Sequence, residues 1–223
     1  MRENPIEIEC KGKTIPCSLY RVDEPKGIAL LGHGLGVDRF DTTVLAPTRI
    51  LNELGIHVIV PELPLHGDRQ DKQLEWDEIV EQWQSYWAND GRNLLLDEWQ
   101  HIYAYTQQRF SLPIVYFGLS LGTQYGVLFL SNVTGVRGAV LGLFGSEPPP
   151  KSIVMNHCAP RVTVPTYFIQ KMNDEIHSAT ATQHLYESLG SPSKILDSSL
   201  GQHKDVGADS IMKACDFLRK NLD

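Results

Sequence analysis

The stretch IVYFGLSLGTQYGVLFL, residues 114–130, decides the fold of this chain. It begins as a short apolar run that is typical of a buried strand and ends as a helical pattern. Between the two lies GLSLG, residues 118–122, in which Ser120 occupies a sharp turn from strand to helix. Side chains in place of Gly118 and Gly122 would collide with the neighbouring strand and helix. The turn exposes the hydroxyl at the positive end of a helix, so the stretch predicts a serine nucleophile.

The same alternation of short apolar runs and amphipathic patterns extends along the chain. Further strands, buried on both faces, are predicted at residues 28–31, 58–60, 139–143, 167–169 and 195–196. Helices are predicted at residues 42–54, 89–110, 121–131, 180–189 and 208–222. Around Gly12 the pattern favours an antiparallel hairpin at one edge of the sheet. The predicted fold class is α/β, a sandwich with a mostly parallel sheet.

Length and composition narrow the function classes. The 223 residues carry 20 Lys+Arg against 27 Asp+Glu, a net charge of −7, without a basic cluster. A nucleic-acid partner is therefore not expected, and no apolar run approaches the ~20 residues of a membrane span. Without a linker or repeat, residues 1–223 are predicted to form a single domain. The segment from Leu143 to Thr166 is too short for a large helical cap, so a fairly open site is expected.

The cysteines and the first residues bear on the compartment. The four cysteines form no C-x-x-C pair, and MRENPIEIEC contains no apolar leader segment. Both observations favour a reducing environment, and we expect a cytoplasmic protein. Cys158 is expected to be simply buried.

A serine nucleophile needs a base and an orienting acid, and both are expected downstream. Asp174 follows the predicted strand 167–169, at the strand end where α/β sheets build their sites. His203 follows the predicted strand near Ile195 and precedes the last helix. The chain order Ser120, Asp174, His203 is that of the α/β-hydrolase triad.

Two alternatives remain open for these roles. Glu147 follows the predicted strand 139–143, the first strand after the helix at residues 121–131. Some α/β-hydrolases carry the acid at this place. His177 is a second candidate base, although it lies only three residues from Asp174.

With these residues the chain resembles the α/β-hydrolases, in particular small bacterial dienelactone-hydrolase-like serine esterases. The segment LGHGLG, residues 31–36, resembles the oxyanion loop of that family. The resemblance implies that the backbone N–H groups of Leu35 and Leu121 form an oxyanion hole. PELPLHGDR, residues 61–69, resembles the family's next loop, with Glu62 in place of the usual Asp. No metal or organic cofactor is implied.

Two further histidines lie in these family loops. His33 is expected to anchor the oxyanion loop, and His66 is expected to pin its own loop at the rim of the site. His57, His101, His157 and His184 are interpreted as surface or satisfied core groups.

Residues 74–87 depart from the strand–helix alternation. Trp76, Trp83 and Trp87 fall with two aliphatic residues on one face of a predicted helix. This helix either packs as an extra element, on the domain or on a second subunit in a homodimer, or it lines an apolar substrate pocket. Replacing Trp83 with Ala and comparing acyl chain lengths would distinguish the two interpretations.

The residues exclude several rival classes. After the first core strand the glycines form the pattern G-x-G-x-G, at Gly32, Gly34 and Gly36. The last glycine of the Rossmann pattern G-x-G-x-x-G would fall at Val37, so that pattern is not present. No H-E-x-x-H zinc motif or Walker sequence occurs. Dehalogenases and epoxide hydrolases of this fold carry an aspartate nucleophile, and dienelactone hydrolases proper carry a cysteine, where this chain has Ser120.

The expected function is therefore a serine carboxylesterase acting on short or medium acyl esters. An acyl-thioesterase or lactonase using the same triad is the alternative. A non-catalytic binding protein of the same fold is a third interpretation.

Overall fold

A computed structural model describes residues 2–70 and 74–222. Within these ranges eight strands form one sheet: β1 Glu3–Cys10, β2 Lys13–Tyr20, β3 Gly27–Gly32, β4 Ile56–Pro61, β5 Ile114–Gly118, β6 Val136–Gly142, β7 Thr166–Lys171 and β8 Lys194–Ser199. The helices of the described residues are α1 Thr42–Glu53, α2 Trp76–Ala88, α3 Gly91–Phe110, α4 Leu121–Leu130, α5 Ile153–Cys158, α6 Ala179–Ser188 and α7 Ala208–Lys220. Short 3-10 turns occur at Gly67–Arg69 and Ala159–Arg161.

The strand order is β1-β2-β4-β3-β5-β6-β7-β8. The β1–β2 and β2–β4 pairs are antiparallel, and the strands from β4 to β8 pair in parallel. The mostly parallel sheet and the hairpin at its edge are thus confirmed. Because the parallel strands share one direction, the loops after β3, β5, β7 and β8 meet at a single edge of the sheet.

Two apolar cores lie on opposite faces of the sheet. Helices α1 and α7 pack on one face, where Leu51 and Leu218 are fully buried. Helices α3 to α6 cover the other, with Trp99 and Phe129 at its centre. Tyr116 of β5 points into this second core, while its neighbours in the strand point to the first. The alternation explains why the central strands are apolar throughout.

The predicted burial on both faces is wrong for the last strand. β8 is the edge strand opposite the hairpin, and Ile195 is 47% exposed. Helix α5 was not predicted, because a helix of six residues is too short to show a 3.6-residue period. The segment between β6 and β7 contains this helix and a 3-10 turn, and no large cap domain is evident.

The tryptophan-rich segment forms α2, as its periodicity predicted. A reciprocal capping box between Glu75 and Glu78 defines its first turn. Asn89 is extended and ends the helix, so α3 begins at Gly91, two residues later than predicted. None of the described helices is both long and apolar enough to cross a membrane.

Candidate active site

Ser120 lies in the turn between β5 and α4 with φ 55° and ψ −121°. A positive φ is strained for a residue with a Cβ and needs support from its surroundings. The Ser120 N–H donates to the carbonyl of Gly142 at 2.9 Å. The hydroxyl of Thr123 contacts the Gly118 and Gly142 carbonyls at 2.9 and 2.7 Å. These bonds tie the turn to β6.

The glycines that flank Ser120 allow α4 to approach the sheet closely. A Cβ on Gly118 would lie 2.5 Å from the Tyr116 hydroxyl, and one on Gly122 would lie 2.7 Å from the carbonyl oxygen of Gly32. Neither distance is tolerable for a carbon atom. The spacing of the two glycines therefore reflects the contact of the turn with β3 and with α4.

Ser120, His203 and Asp174 form a continuous hydrogen-bonded chain across the edge of the sheet. The Ser120 Oγ lies 2.9 Å from His203 Nε2. The His203 Nδ1 lies 2.8 Å from Asp174 Oδ2. The side chain of Asp174 is fully buried, whereas that of His203 keeps 15% of its surface exposed. The three residues come from the loops after β5, β8 and β7, which the topology brings together.

The loop that carries Asp174 holds the His203 loop through three consecutive residues. The second carboxylate oxygen of Asp174 accepts the backbone N–H groups of Ile176 and His177. The Asn173 N–H donates to the Gly201 carbonyl, and the Glu175 carboxylate accepts the His203 N–H at 2.9 Å. These bonds hold the imidazole and its acid in one rigid unit. Glu175 is exposed and showed no sequence signal.

The backbone N–H groups of Leu35 and Leu121 lie in the loop after β3 and at the first residue of α4. Neither group donates to a protein acceptor among the described residues. Both residues line the same cavity as Ser120. Two N–H groups without an acceptor at this place can receive an oxygen atom of a ligand.

The loop after β3 is held by buried side chains. The Tyr125 hydroxyl donates to the His33 carbonyl at 3.0 Å. The Gly36 N–H donates to His66 Nε2 at 3.1 Å, while His66 Nδ1 contacts the Pro64 carbonyl. His66 thus pins the neighbouring loop as well as its own, which the sequence prediction did not include. Burial lowers its pKa to about 4, so the ring is neutral and its Nε2 is an acceptor.

His33 is anchored beside Glu62 in the same interior. Its Nε2 lies 3.1 Å from the Leu63 backbone nitrogen and 3.0 Å from a Glu62 oxygen. Arg39 donates to the other Glu62 oxygen and to Asp68. Burial alone would raise the pKa of Glu62, but His33 and Arg39 together hold it below its ordinary value. Arg39 gave no signal in the sequence, since its partners lie more than twenty positions away.

A cavity of about 670 Å³ opens beside Ser120. Its walls are largely apolar and come from α1, α2 and the loops after β3 and β6. Trp76 and Trp83 are among the lining residues, whereas Trp87 stacks on Trp83 and lies outside the lining. Trp83 is buried and Trp76 is half-exposed. Helix α2 therefore contributes both to the packing of the chain and to the wall of the cavity.

The side chains of the alternative acid and base take no part in this hydrogen-bonded chain. Glu147 is exposed and pairs with Lys151 at 2.9 Å. The ring of His177 packs on Phe144 with centroids 4.5 Å apart, and its centroid is 6.1 Å from that of His203. Burial lowers the pKa of His177 to about 4. Among the described residues neither side chain is hydrogen-bonded to Ser120, in contrast to His203.

The other histidines and the cysteines lie apart from this chain of residues. His57 accepts the Val22 N–H, and His184 contacts Ser146. All four cysteines are free and buried. Burial raises the pKa of Cys17 and Cys215 to about 12, which makes their thiols unreactive.

The sheet order, the strained serine turn and the loops that follow it define an α/β-hydrolase fold. Several solved structures share this fold. An esterase from an Arctic intertidal metagenomic library has a TM-score of 0.86 at 22% identity, over 99% of this chain and 94% of that one. TT1662 from Thermus thermophilus has a TM-score of 0.72 at 18% identity, over 100% of this chain and 99% of that one. A dienelactone hydrolase from Anabaena variabilis has a TM-score of 0.72 at 15% identity, over 98% of this chain and 95% of that one.

These comparisons establish the fold, because identities this low do not carry a specific activity. No family model matches the chain. No curated protein matches it at the level of its sequence.

Proposed function

We propose that the protein is a serine carboxylesterase that cleaves short or medium acyl esters through an acyl-enzyme. The proposal rests mainly on one observation: Ser120 Oγ and His203 Nε2 are 2.9 Å apart at the wall of an apolar cavity. The esterases among the structural neighbours add support, although at 22% identity their similarity shows only a shared fold.

In this mechanism His203 removes the proton of Ser120 as the Oγ attacks the ester carbonyl. The tetrahedral intermediate develops negative charge on the carbonyl oxygen, and the N–H groups of Leu35 and Leu121 stabilise it. Losing one such donor typically costs about 3 kcal/mol of transition-state stabilisation. Protonated His203 then donates to the leaving alcohol, and the acyl group stays on Ser120.

Deacylation repeats these steps with water as the nucleophile. His203 removes a proton from the water, which attacks the acyl-enzyme, and then returns the proton to Ser120. Asp174 accepts from His203 Nδ1, keeps the ring in the required tautomer and stabilises the imidazolium. A buried carboxylate with two backbone N–H donors on its other oxygen suits this role.

A fluorophosphonate probe tests the proposal, because it forms a covalent adduct only with an activated serine. We expect one adduct per chain, located at Ser120 by peptide mass spectrometry. The Ser120→Ala variant should remain unlabelled. A folded wild-type protein without an adduct would favour a non-catalytic binding protein and overturn the proposal.

A substrate panel distinguishes the alternatives that share this chemistry. We expect p-nitrophenyl esters with two to eight acyl carbons to be hydrolysed faster than acyl-thioesters or lactones. The cavity wall formed by α2 leads us to expect that Trp83→Ala shifts the preferred acyl length. An unchanged length profile would limit Trp83 to a role in packing.

A further inference from the structure

Gln124 places a polar side chain in an apolar wall of the cavity. It is the fourth residue of α4, the helix that begins directly after Ser120. Every other α4 residue is buried, while Gln124 is partly exposed and lines the cavity. A polar side chain here faces the space that a substrate would occupy.

The orientation of the Gln124 amide follows from its partner. The indole N–H of Trp83 donates to Gln124 Oε1 at 2.9 Å. An indole nitrogen can only donate, so the contacted atom must be the amide oxygen. The amide nitrogen Nε2 then keeps two N–H donors, and neither has an acceptor among the described residues.

Trp83 is itself held firmly. Its side chain is 4% exposed, and its ring packs against His66 and Trp87 with centroids 5.9 and 6.3 Å apart. Reversal of the Gln124 amide would break the bond to this buried indole and leave its N–H without an acceptor. The donor pair on Nε2 is therefore oriented before any ligand arrives.

We propose that Gln124 is a specificity-determining residue whose Nε2 donates a hydrogen bond to an oxygen atom of the substrate. This inference rests on the proposed esterase function. The ligand is an ester with an ether or hydroxyl oxygen a few bonds from the scissile carbonyl. The reason for this distance is that Gln124 lies in the first turn of the helix that follows Ser120 and lines the same cavity as Ser120.

The experiment compares esters in which one methylene is replaced by oxygen. For the acyl side, p-nitrophenyl 3-ethoxypropanoate and 4-methoxybutanoate are compared with the hexanoate. For the alcohol side, 2-ethoxyethyl acetate is compared with pentyl acetate. The ratio of kcat/KM within each set is measured for the wild type and for the variants, so that intrinsic reactivity cancels between proteins.

We expect the wild type to favour an oxygen-containing ester in at least one set by about tenfold relative to Gln124→Leu. Gln124→Glu keeps an acceptor for Trp83 but removes the donor, and it should lose the same preference. Gln84→Leu is the matched control, because Gln84 is an exposed glutamine of α2 at the same cavity. It should keep the wild-type ratio. Thermal unfolding of each variant verifies that it is folded.

Ratios that are the same in the wild type, Gln124→Leu and Gln124→Glu would overturn the inference and leave the esterase function intact. The same holds if Gln84→Leu removes the preference to the same extent. A wild type that hydrolyses none of the esters would instead refute the proposed function, and the inference with it.

Discussion

The imidazole of His66 accepts the backbone N–H of Gly36 at 3.1 Å, which joins the loop after β4 to the loop after β3. The loop after β3 carries Leu35, whose N–H we assign to the oxyanion hole. His66 also contacts the ring of Trp83, which holds Gln124. One buried neutral histidine thus connects the oxyanion loop to the wall of the cavity.

Replacement of His66 should impair activity more than it impairs binding. His66→Phe removes the acceptor of the Gly36 N–H and with it the part-buried hydrogen bond between the two loops. We expect kcat on a p-nitrophenyl ester to fall about tenfold, with a smaller change in KM, because the oxyanion loop loses its support. His66→Gln offers an amide oxygen and should recover part of the loss. An unchanged kcat in a folded His66→Phe variant would contradict this role.

The lowered pKa of His66 predicts a specific dependence of stability on pH. Its pKa is about 4 in the folded chain and about 6.5 in the unfolded chain, so the unfolded state takes up the proton first. The contribution of the neutral, buried His66 to the free energy of unfolding is fully present above pH 6.5, and it is lost as the pH falls from 6.5 towards 4. Linkage gives a loss of about 3 kcal/mol over this range.

Urea unfolding between pH 8 and pH 4.5 measures this contribution. The free energy of unfolding should fall more steeply with decreasing pH in the wild type than in His66→Gln, which lacks the titrating group. His177, whose pKa is also about 4, contributes in the same direction and remains present in both proteins. Parallel curves for the two proteins would show that His66 does not titrate as its burial implies.

Asp174 should carry the acid role and Glu147 should not. Asp174→Asn removes the acceptor for the imidazole N–H, and we expect kcat to fall by roughly 10³–10⁴. Glu147→Gln is the matched control, since that carboxylate is exposed and pairs only with Lys151 in the described residues. Steady-state kinetics should show almost no change for it. Full activity of Asp174→Asn together with loss in Glu147→Gln would reverse the assignment.

The contact between Gly122 and β3 should be sensitive to a single methyl group. A Cβ at Gly122 meets the carbonyl oxygen of Gly32 at 2.7 Å, so Gly122→Ala must displace backbone. We expect a destabilisation of about 2–3 kcal/mol by thermal or urea unfolding, with a loss of activity as Ser120 moves. Gly207→Ala is the control, because no atom lies within 4 Å of its added Cβ, and it should cost under about 1 kcal/mol.

Neighbouring residues were sufficient to predict most of the fold. The strand–helix alternation, the hairpin around Gly12 and the absence of room for a cap all follow from short patterns of apolar residues and turn signals. The serine turn is encoded in five consecutive residues, because the strain at Ser120 and the close approach of Gly118 to Tyr116 and Gly122 are local requirements. The contact of Gly122 with Gly32 of β3 is not local and required the folded chain. The prediction missed α5, which is too short to give a periodic signal, and it was wrong about the burial of β8, whose edge position the sequence does not show.

The relationships inside the site required the folded chain. Gln124 and Trp83 are 41 positions apart, and His66 and Gly36 are 30 apart. Nothing in the sequence links Gln124 to Trp83 or Gly36 to His66. Their hydrogen bonds exist because parallel strands bring successive loops to one edge and because the buried side chains of Trp83 and His66 must find partners there. Short-range patterns therefore determine which elements form, whereas burial after packing determines which side chains share a bond, and it is these bonds that shape the cavity beside Ser120.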